Sequence, residues 1–355
     1  MKGNPLTLVI NPGSTSTKLG VYRGQEELFR ETIMYSSEEL RWMSVEEELQ
    51  LRREGVERSL QTHGVSKGEL DLIVSRGGLC RPIEGGIYRV NEAMCEDLRA
   101  ARYGRHPSNL GPIIAREMAD EVGAEAIVVD PPTVDELEPV ARISGLKEIE
   151  RRSALHVLNQ RAAARRAASR LARAYEDLNL IVAHLGGGIT IGAHRRGKIV
   201  DGTHGLSEGP FTPERAGSLP TLELLDLALS GRYTPEELRK KLVGEGGLLS
   251  YLGTRDALEV ERRMARGDEE ARLVFEAMAY QISKEIGAMA TVLEGEVDGI
   301  VITGDLARSE PLVRMIRQRV SFLAPLFVFP GEEELLSLLE AGLRAWRGEE
   351  EIKEY

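Results

Sequence analysis

Cysteine is nearly absent from this chain: Cys80 and Cys95 are the only two, and no Cys-x-x-Cys occurs. That excludes a disulfide framework and fits a reducing compartment, so the expected location is the cytoplasm. Basic residues are outnumbered, 46 Lys and Arg against 57 Asp and Glu, giving a formal net charge of −11. A nucleic-acid backbone needs a basic footprint, so nucleic acid is excluded as the main partner. Small anions are not excluded, because a site can be locally positive inside an acidic protein. Long hydrophobic runs are missing too. The longest uncharged stretch, Leu178 to His194, is short for a membrane span and carries Gly186, Gly187, Gly188 and Gly192. The first apolar run begins by Leu6, which leaves no room for a separate secretory h-region.

What is present is a chain of 355 residues, 42% hydrophobic and 29% charged, enough for two ordinary domains with real cores. Its most informative stretch is residues 6–24. Leu6 to Ile10 reads as a buried strand, broken at Asn11-Pro12-Gly13, a turn whose glycine lets backbone approach a ligand. The chain then resumes with β-branched and small residues to Tyr22. If extended, it puts Ser14, Ser16 and Lys18 on one face beside Asn11. Two readings stand: an ordinary hairpin with a polar face, or a phosphate cradle. A Walker A loop is excluded because Lys18 lies between Thr17 and Leu19, and a dinucleotide fingerprint because no helix follows.

Further strands are expected near 28–34, 71–75, 126–129, 298–302 and 326–329. Helices are expected over 36–62, 91–103, 109–122, 151–176, 220–230, 234–242, 256–266, 268–293 and from Glu332 to about Trp346. In the helix predicted for 151–176, Arg161, Arg165, Arg166, Arg170 and Arg173 form a stripe, read as a solvated face with local ion pairs. Residues 179–202 repeat the order of residues 6–34. A shift of 173 positions carries Gly13 onto Gly186, Asn11 onto His184 and Arg23-Gly24 onto Arg196-Gly197. One fixed offset for several elements points to a duplicated α/β domain, with small ligands expected in a cleft between the copies.

Several motifs together resemble the butyrate kinases of the acetate kinase family: Asn11-Pro-Gly-Ser-Thr-Ser-Thr-Lys18, Ser75-Arg-Gly-Gly78, Arg81-Pro-Ile-Glu-Gly-Gly86, Val140-Ala-Arg-Ile-Ser-Gly145, His184-Leu-Gly-Gly-Gly188, Gly209-Pro-Phe-Thr-Pro-Glu-Arg-Ala-Gly217 and Ala279-Tyr-Gln-Ile-Ser-Lys-Glu-Ile-Gly287. The resemblance covers nearly the whole chain. It implies two duplicated actin-like (ribonuclease H-like) domains around a nucleotide cleft, divided as 1–141 plus 331–355 and 142–330. The implied reaction is ATP + butanoate ⇌ ADP + butanoyl phosphate, with Mg²⁺, in a homo-oligomer of two or more chains. Branched-chain, propionate or acetate kinase activity are the alternatives within that chemistry. A catalytically silent nucleotide sensor and an exopolyphosphatase-like hydrolase are the alternatives outside it.

By that resemblance Arg76 and Arg215 surround the substrate carboxylate and the transferring phosphoryl group, Asp130 orients Mg²⁺ or its water, and His156 hydrogen-bonds the phosphoryl group. Asn11, Ser14, Ser16 and Lys18 cradle phosphate, His184 supports the turn Gly186-Gly187-Gly188 at the β-phosphate, and Gly304 with Asp305 lies by the adenosine. Asn11, Asp130 and Glu333 serve the metal, with Glu332 and Glu334 as neighbours of the last. Two departures stand out: Asp305 replaces a second glycine usual in the family, and the stretch Asp201-Gly-Thr-His-Gly-Leu-Ser-Glu208, which leads directly to Arg215, differs from the family's usual wording. Gly187 stands where acetate kinases carry Asn, which favours a longer acid.

Overall fold

A computed structural model describes residues 3–355. The chain forms two units: residues up to Val134 together with Glu333–Tyr355, and Asp135–Glu332. The first contains strands β1 (Leu6–Pro12), β2 (Ser16–Arg23), β3 (Glu26–Met34), β4 (Leu72–Arg76), β5 (Ile87–Arg89) and β6 (Glu125–Val129). A C-terminal strand, Ile352–Lys353, joins the edge, so the sheet runs from it through β5, β6, β4, β1 and β2 to β3. β1 and β2 form an antiparallel hairpin, while β1, β4 and β6 are mutually parallel. Every residue of β1 is buried, because helices Leu110–Val122 and Glu334–Arg347 both pack on it. A strand covered on both faces needs an unbroken apolar run, which is what Leu6–Ile10 supplies.

The second unit contains β7 (Asn179–Leu185), β8 (Ile189–Arg195), β9 (Lys198–Gly202), β10 (Gly299–Gly304) and β11 (Leu326–Pro330), in the order β11-β10-β7-β8-β9. An offset of 173 positions carries β1 onto β7 without a gap. The hairpin, the parallel strand beside it and a second parallel strand beyond recur in both sheets. The repeat read from the sequence is therefore a repeat of topology. It is inexact at one point: Pro12 pairs Thr17, whereas Leu185 pairs Ile189, so the glycine turn of the second unit is one residue shorter. The long helix Glu269–Val292 buries Ala271, Val274, Phe275, Met278, Ile282 and Ile286 at helical spacing over this sheet.

Two predicted helices are corrected. Residues 36–62 split into Ser37–Arg41 and Val45–Thr62, because Ser44 and Glu47 form a capping box that starts a new helix. The helix expected over 151–176 spans only Val157–Arg170. Arg151 draws the preceding segment away by binding Asp201, Glu208 and the carbonyls of Ala141 and Gly202. The arginine stripe divides: Arg165 and Arg173 pair with Glu176 and Asp298 as a partly solvated face does. Arg161 is instead buried against Glu136 at 2.8 Å. Cys80 and Cys95 are buried free thiols, the latter's pKa pushed up to about 11 by burial. Among the described residues, no helix is long and apolar enough to cross a membrane.

Candidate functional site

In the first unit, β1, β4 and β6 are parallel neighbours, and their carboxyl ends bring Asn11, Arg76 and Asp130 together. Ile10 is level with Ser75, and Arg76 with Val129, so each named residue sits within one register step of the others. Open α/β sheets place ligand-binding groups at this edge. Glu334, the first residue of helix Glu334–Arg347, ties two of them: its Oε2 accepts from Asn11 Nδ2 at 2.6 Å and its Oε1 from Arg76 Nη1 at 2.9 Å. The carboxylate meeting Asn11 is therefore Glu334, the neighbour of Glu333, on which the metal-side role was expected. Glu333 is exposed, and its carbonyl accepts from the Ser337 N–H and hydroxyl.

Asp130 is almost buried and takes φ +41°. Its Oδ1 accepts from the Gly86 N–H at 2.8 Å, and its own N–H donates to the Gly86 carbonyl at 3.0 Å. The reciprocal pair fixes the loop after β6 in this uncommon backbone region. Gly77 next to Arg76 is required by packing, since a Cβ there lies 2.4 Å from the Pro131 side chain. His106 carries a pKa lowered by burial and by the positive charge of Arg76.

The hairpin turn differs slightly from expectation. Ser14 lies in the turn rather than on β2, whereas Ser16 and Lys18 do share the outward face and Lys18 pairs with Asn11 across the hairpin. Reasoning from the sequence missed Arg52. It is wholly buried on helix Val45–Thr62 and donates to the carbonyls of Ser14 and Ser16. Its distance along the chain hides it; the signal available was an arginine four residues after Glu48 on the helix's apolar face.

In the second unit the corresponding strand ends bring His184 of β7 level with Thr303 of β10, and Gly304 level with Pro330 of β11. His156 and His184 stack, ring centroids 3.9 Å apart. His184 Nδ1 lies 2.8 Å from Asn159 Oδ1 and Nε2 lies 3.0 Å from Glu332 Oε1, which fixes the ring beneath the turn Gly186-Gly187-Gly188. His156 sits just before helix Val157–Arg170 with Nδ1 3.0 Å from Thr190 Oγ1. That hydroxyl oxygen already accepts from Gln160 Nε2 at 2.8 Å and faces the His156 N–H at 3.4 Å. Both lone pairs are thus engaged, the hydroxyl donates to Nδ1, and the ring's N–H is assigned to Nε2.

Arg215 lies across the glycine turn. A Cβ on Gly188 falls 2.4 Å from its Nη1, which donates to the Gly205 carbonyl at 2.6 Å. Thr212 clamps the two segments, donating to the Gly187 carbonyl and accepting from the Arg215 N–H. Burial lowers the Arg215 pKa, yet a guanidinium stays charged. Neighbouring Glu214 pairs with Arg255, and among the described residues no carboxylate is within ion-pair range of Arg215. Glu214 acts on Arg215 electrostatically from beyond pairing distance, and a partly buried cation with no directly paired carboxylate is costly unless an anion joins it. Gly304 takes φ +89° against the Leu185 backbone, where a Cβ comes within 2.3 Å of a carbonyl oxygen. Asp305 follows it, exposed, 3.7 Å from Arg308.

Among the described residues no three His, Cys, Asp or Glu side chains gather into a ready-made metal cage. Asn11 and Glu334 nonetheless fit Mg²⁺, which takes hard oxygens, keeps several waters and leans on substrate phosphates. An open cavity of about 880 Å³ in the second unit, lined by Leu206, Leu219, Leu224, Arg239, Lys240 and Val243 among others, includes none of the candidate residues.

Two sheets of one topology, with the candidate side chains at the ends of corresponding strands, define an α/β protein of the actin-like ATPase fold. An acetate kinase from Porphyromonas gingivalis is similar, with a TM-score of 0.77 and 18% identity over 95% of this chain and 98% of that one. A propionate kinase from Francisella tularensis aligns with a TM-score of 0.72 and 18% identity over the same shares. A ROK hexokinase from Thermus thermophilus aligns with a TM-score of 0.50 and 16% identity, over 97% and 99%. The acetokinase family matches residues 144–324, just over half of the chain, and the chain belongs to that family. Membership implies ATP-dependent phosphorylation of a carboxylate, with ATP or ADP and a short-chain acid or its acyl phosphate as partners.

Proposed function

We propose that this protein transfers the γ-phosphoryl group of ATP to a short-chain fatty acid, ATP + butanoate ⇌ ADP + butanoyl phosphate. The observation that carries the reading is Arg215, a partly buried guanidinium on the glycine turn with no carboxylate within ion-pair range among the described residues. A fatty-acid carboxylate is ionised at pH 7, so it attacks without a general base. Its oxygen forms the new P–O bond while the bond from the γ-phosphorus to the β–γ bridging oxygen breaks, and ADP leaves with that electron pair. The obstacle is repulsion between anions, which is met by positioned cations and N–H donors.

In this scheme Arg215 and Arg76 neutralise the carboxylate and phosphoryl oxygens, and their planar forks suit both. His156 offers its Nε2 N–H to a phosphoryl oxygen. Ser14, Ser16 and Lys18 bind phosphate on the first unit, while the Gly186-Gly187-Gly188 turn, backed by His184, does so on the second. Gly304 and Asp305 lie toward the adenosine. Asn11 and Glu334, with Asp130, would hold Mg²⁺, which supplies positive charge against the nucleotide's phosphates when bound. Butanoate is favoured by the sequence motifs and by Gly187. One methylene changes pocket binding by only about 1–3 kcal/mol, so isobutyrate, propionate and acetate belong in the test. The decisive experiment is kcat/KM for linear and branched C2 to C5 acids, with the acyl phosphate trapped by hydroxylamine. A maximum at a four-carbon acid supports the proposal; a maximum at acetate replaces the substrate, and no product with any acid removes the kinase reading.

A further inference from the structure

We infer that Arg52 is the positioning residue that shapes the turn Gly13–Ser16 into an anion cradle from behind, without touching the ligand. The inference rests on the proposed role of Ser14, Ser16 and Lys18 in binding phosphate. Arg52 Nη2 donates to the Ser14 carbonyl at 3.2 Å, and Nη1 to the Ser16 carbonyl at 2.9 Å and to Thr17 Oγ1 at 3.1 Å. The carbonyl between them, of Thr15, accepts from the Tyr35 N–H at 2.9 Å, and the Tyr35 ring lies under the guanidinium at 4.9 Å. Three consecutive carbonyls are thus drawn inward. In a trans peptide the N–H points opposite the C=O, so drawing the Ser14 carbonyl toward Arg52 turns the Thr15 N–H the other way.

Thr17 is buried on Arg52's side of β2, while Ser16 and Lys18 occupy the opposite face. On that outward side the hydroxyls of Ser14 and Ser16, the Thr15 N–H and the Lys18 ammonium have no protein partner among the described residues. Backbone N–H groups and hydroxyls gathered beside an ammonium form an anion-binding concavity. Glu48 holds Arg52 in place, 2.9 Å from Nε and 2.7 Å from Nη2. With one carboxylate and three turn oxygens as acceptors, the guanidinium is satisfied only while the turn keeps this shape. A lysine brings the charge but not the planar fork that reaches Ser14 and Ser16 at once.

The test is calorimetric binding of ATP and of AMP to the full chain, comparing wild type with Arg52→Lys and Thr17→Val. If the cradle depends on Arg52, Arg52→Lys binds ATP at least tenfold more weakly and AMP within twofold of wild type, and Thr17→Val shifts ATP affinity in the same direction by less. Equal weakening of ATP and AMP, or unchanged ATP affinity in a folded Arg52→Lys protein, overturns the inference. Should Arg52→Lys show no cooperative thermal transition, Thr17→Val decides, and unchanged ATP affinity there also overturns it. Wild-type protein that binds ATP no more tightly than AMP overturns it as well. Wild-type protein that binds ATP tightly yet makes no acyl phosphate removes the kinase reading alone and leaves this comparison intact.

Discussion

At Gly188 a missing side chain is what lets Arg215 lie where it does, its Nη1 2.4 Å from the position a Cβ takes. Gly188→Ala therefore displaces the guanidinium. Misplacing a reacting group by ~1 Å costs on the order of 10²-fold in rate, so kcat is expected to fall by about that factor while the thermal midpoint barely moves. Arg215→Ala, assayed for acyl phosphate alongside ATP binding, is expected to lower turnover by roughly 10²–10³-fold and affect ATP affinity far less. Unchanged turnover takes Arg215 out of the scheme. The two glutamates separate in the same assay. Glu334→Gln, which loses the charge shared by Asn11 and Arg76, is expected to raise the Mg²⁺ concentration needed for half-maximal activity, and Glu333→Gln to leave it alone. The reverse result returns the metal role to Glu333.

Among the elements, the hairpin and the parallel strand beside it are the unit that was duplicated, and Gly304 marks how tightly that unit closes in the second sheet. Its φ of +89° and a Cβ position 2.3 Å from the Leu185 carbonyl oxygen forbid a side chain. Gly304→Ala is expected to cost more than about 2 kcal/mol, read as a lower urea midpoint with the slope unchanged, because backbone strain and overpacking add. A variant as stable as wild type contradicts the packing described. Element boundaries were legible where a local signal exists. Ser44-Val-Glu-Glu47 is a capping box in plain sight, and reading 36–62 as one helix passed over it. The start of helix Val157–Arg170 was not legible, since it is set by Arg151 reaching Asp201 and Glu208 some fifty residues ahead.

For the whole molecule the clearest pH dependence comes from His194. It is fully buried, with Nδ1 2.8 Å from the Tyr175 hydroxyl and Nε2 3.0 Å from Gln160 Oε1, a pairing that suits the neutral ring. Burial lowers its pKa to about 3 from the ordinary 6.5. Below about pH 6.5 the unfolded chain takes up a proton the folded one refuses, so stability falls as pH drops toward 3, by about 1.4 kcal/mol per unit. Carboxylates elsewhere contribute to both proteins, so the measurement is a difference: between pH 6 and 4, unfolding free energy of His194→Gln is expected to fall less steeply than that of wild type. Equal slopes show that His194 does not govern this window.

The sequence by itself determined the central strands of both sheets, the glycine turns, the duplication at one offset and the arginines beside glycines, because each is a pattern among near neighbours; the short edge strands Ile87–Arg89 and Ile352–Lys353 were not legible. Backbone conformation answers to such patterns directly. Only the tertiary structure decided that Glu334 rather than Glu333 meets Asn11, that Arg161 is buried, and that Arg52 stands behind the phosphate-binding turn. Those pairings join side chains tens to hundreds of residues apart. They depend on which helix face packs on which strand, and no local regularity in the chain encodes that.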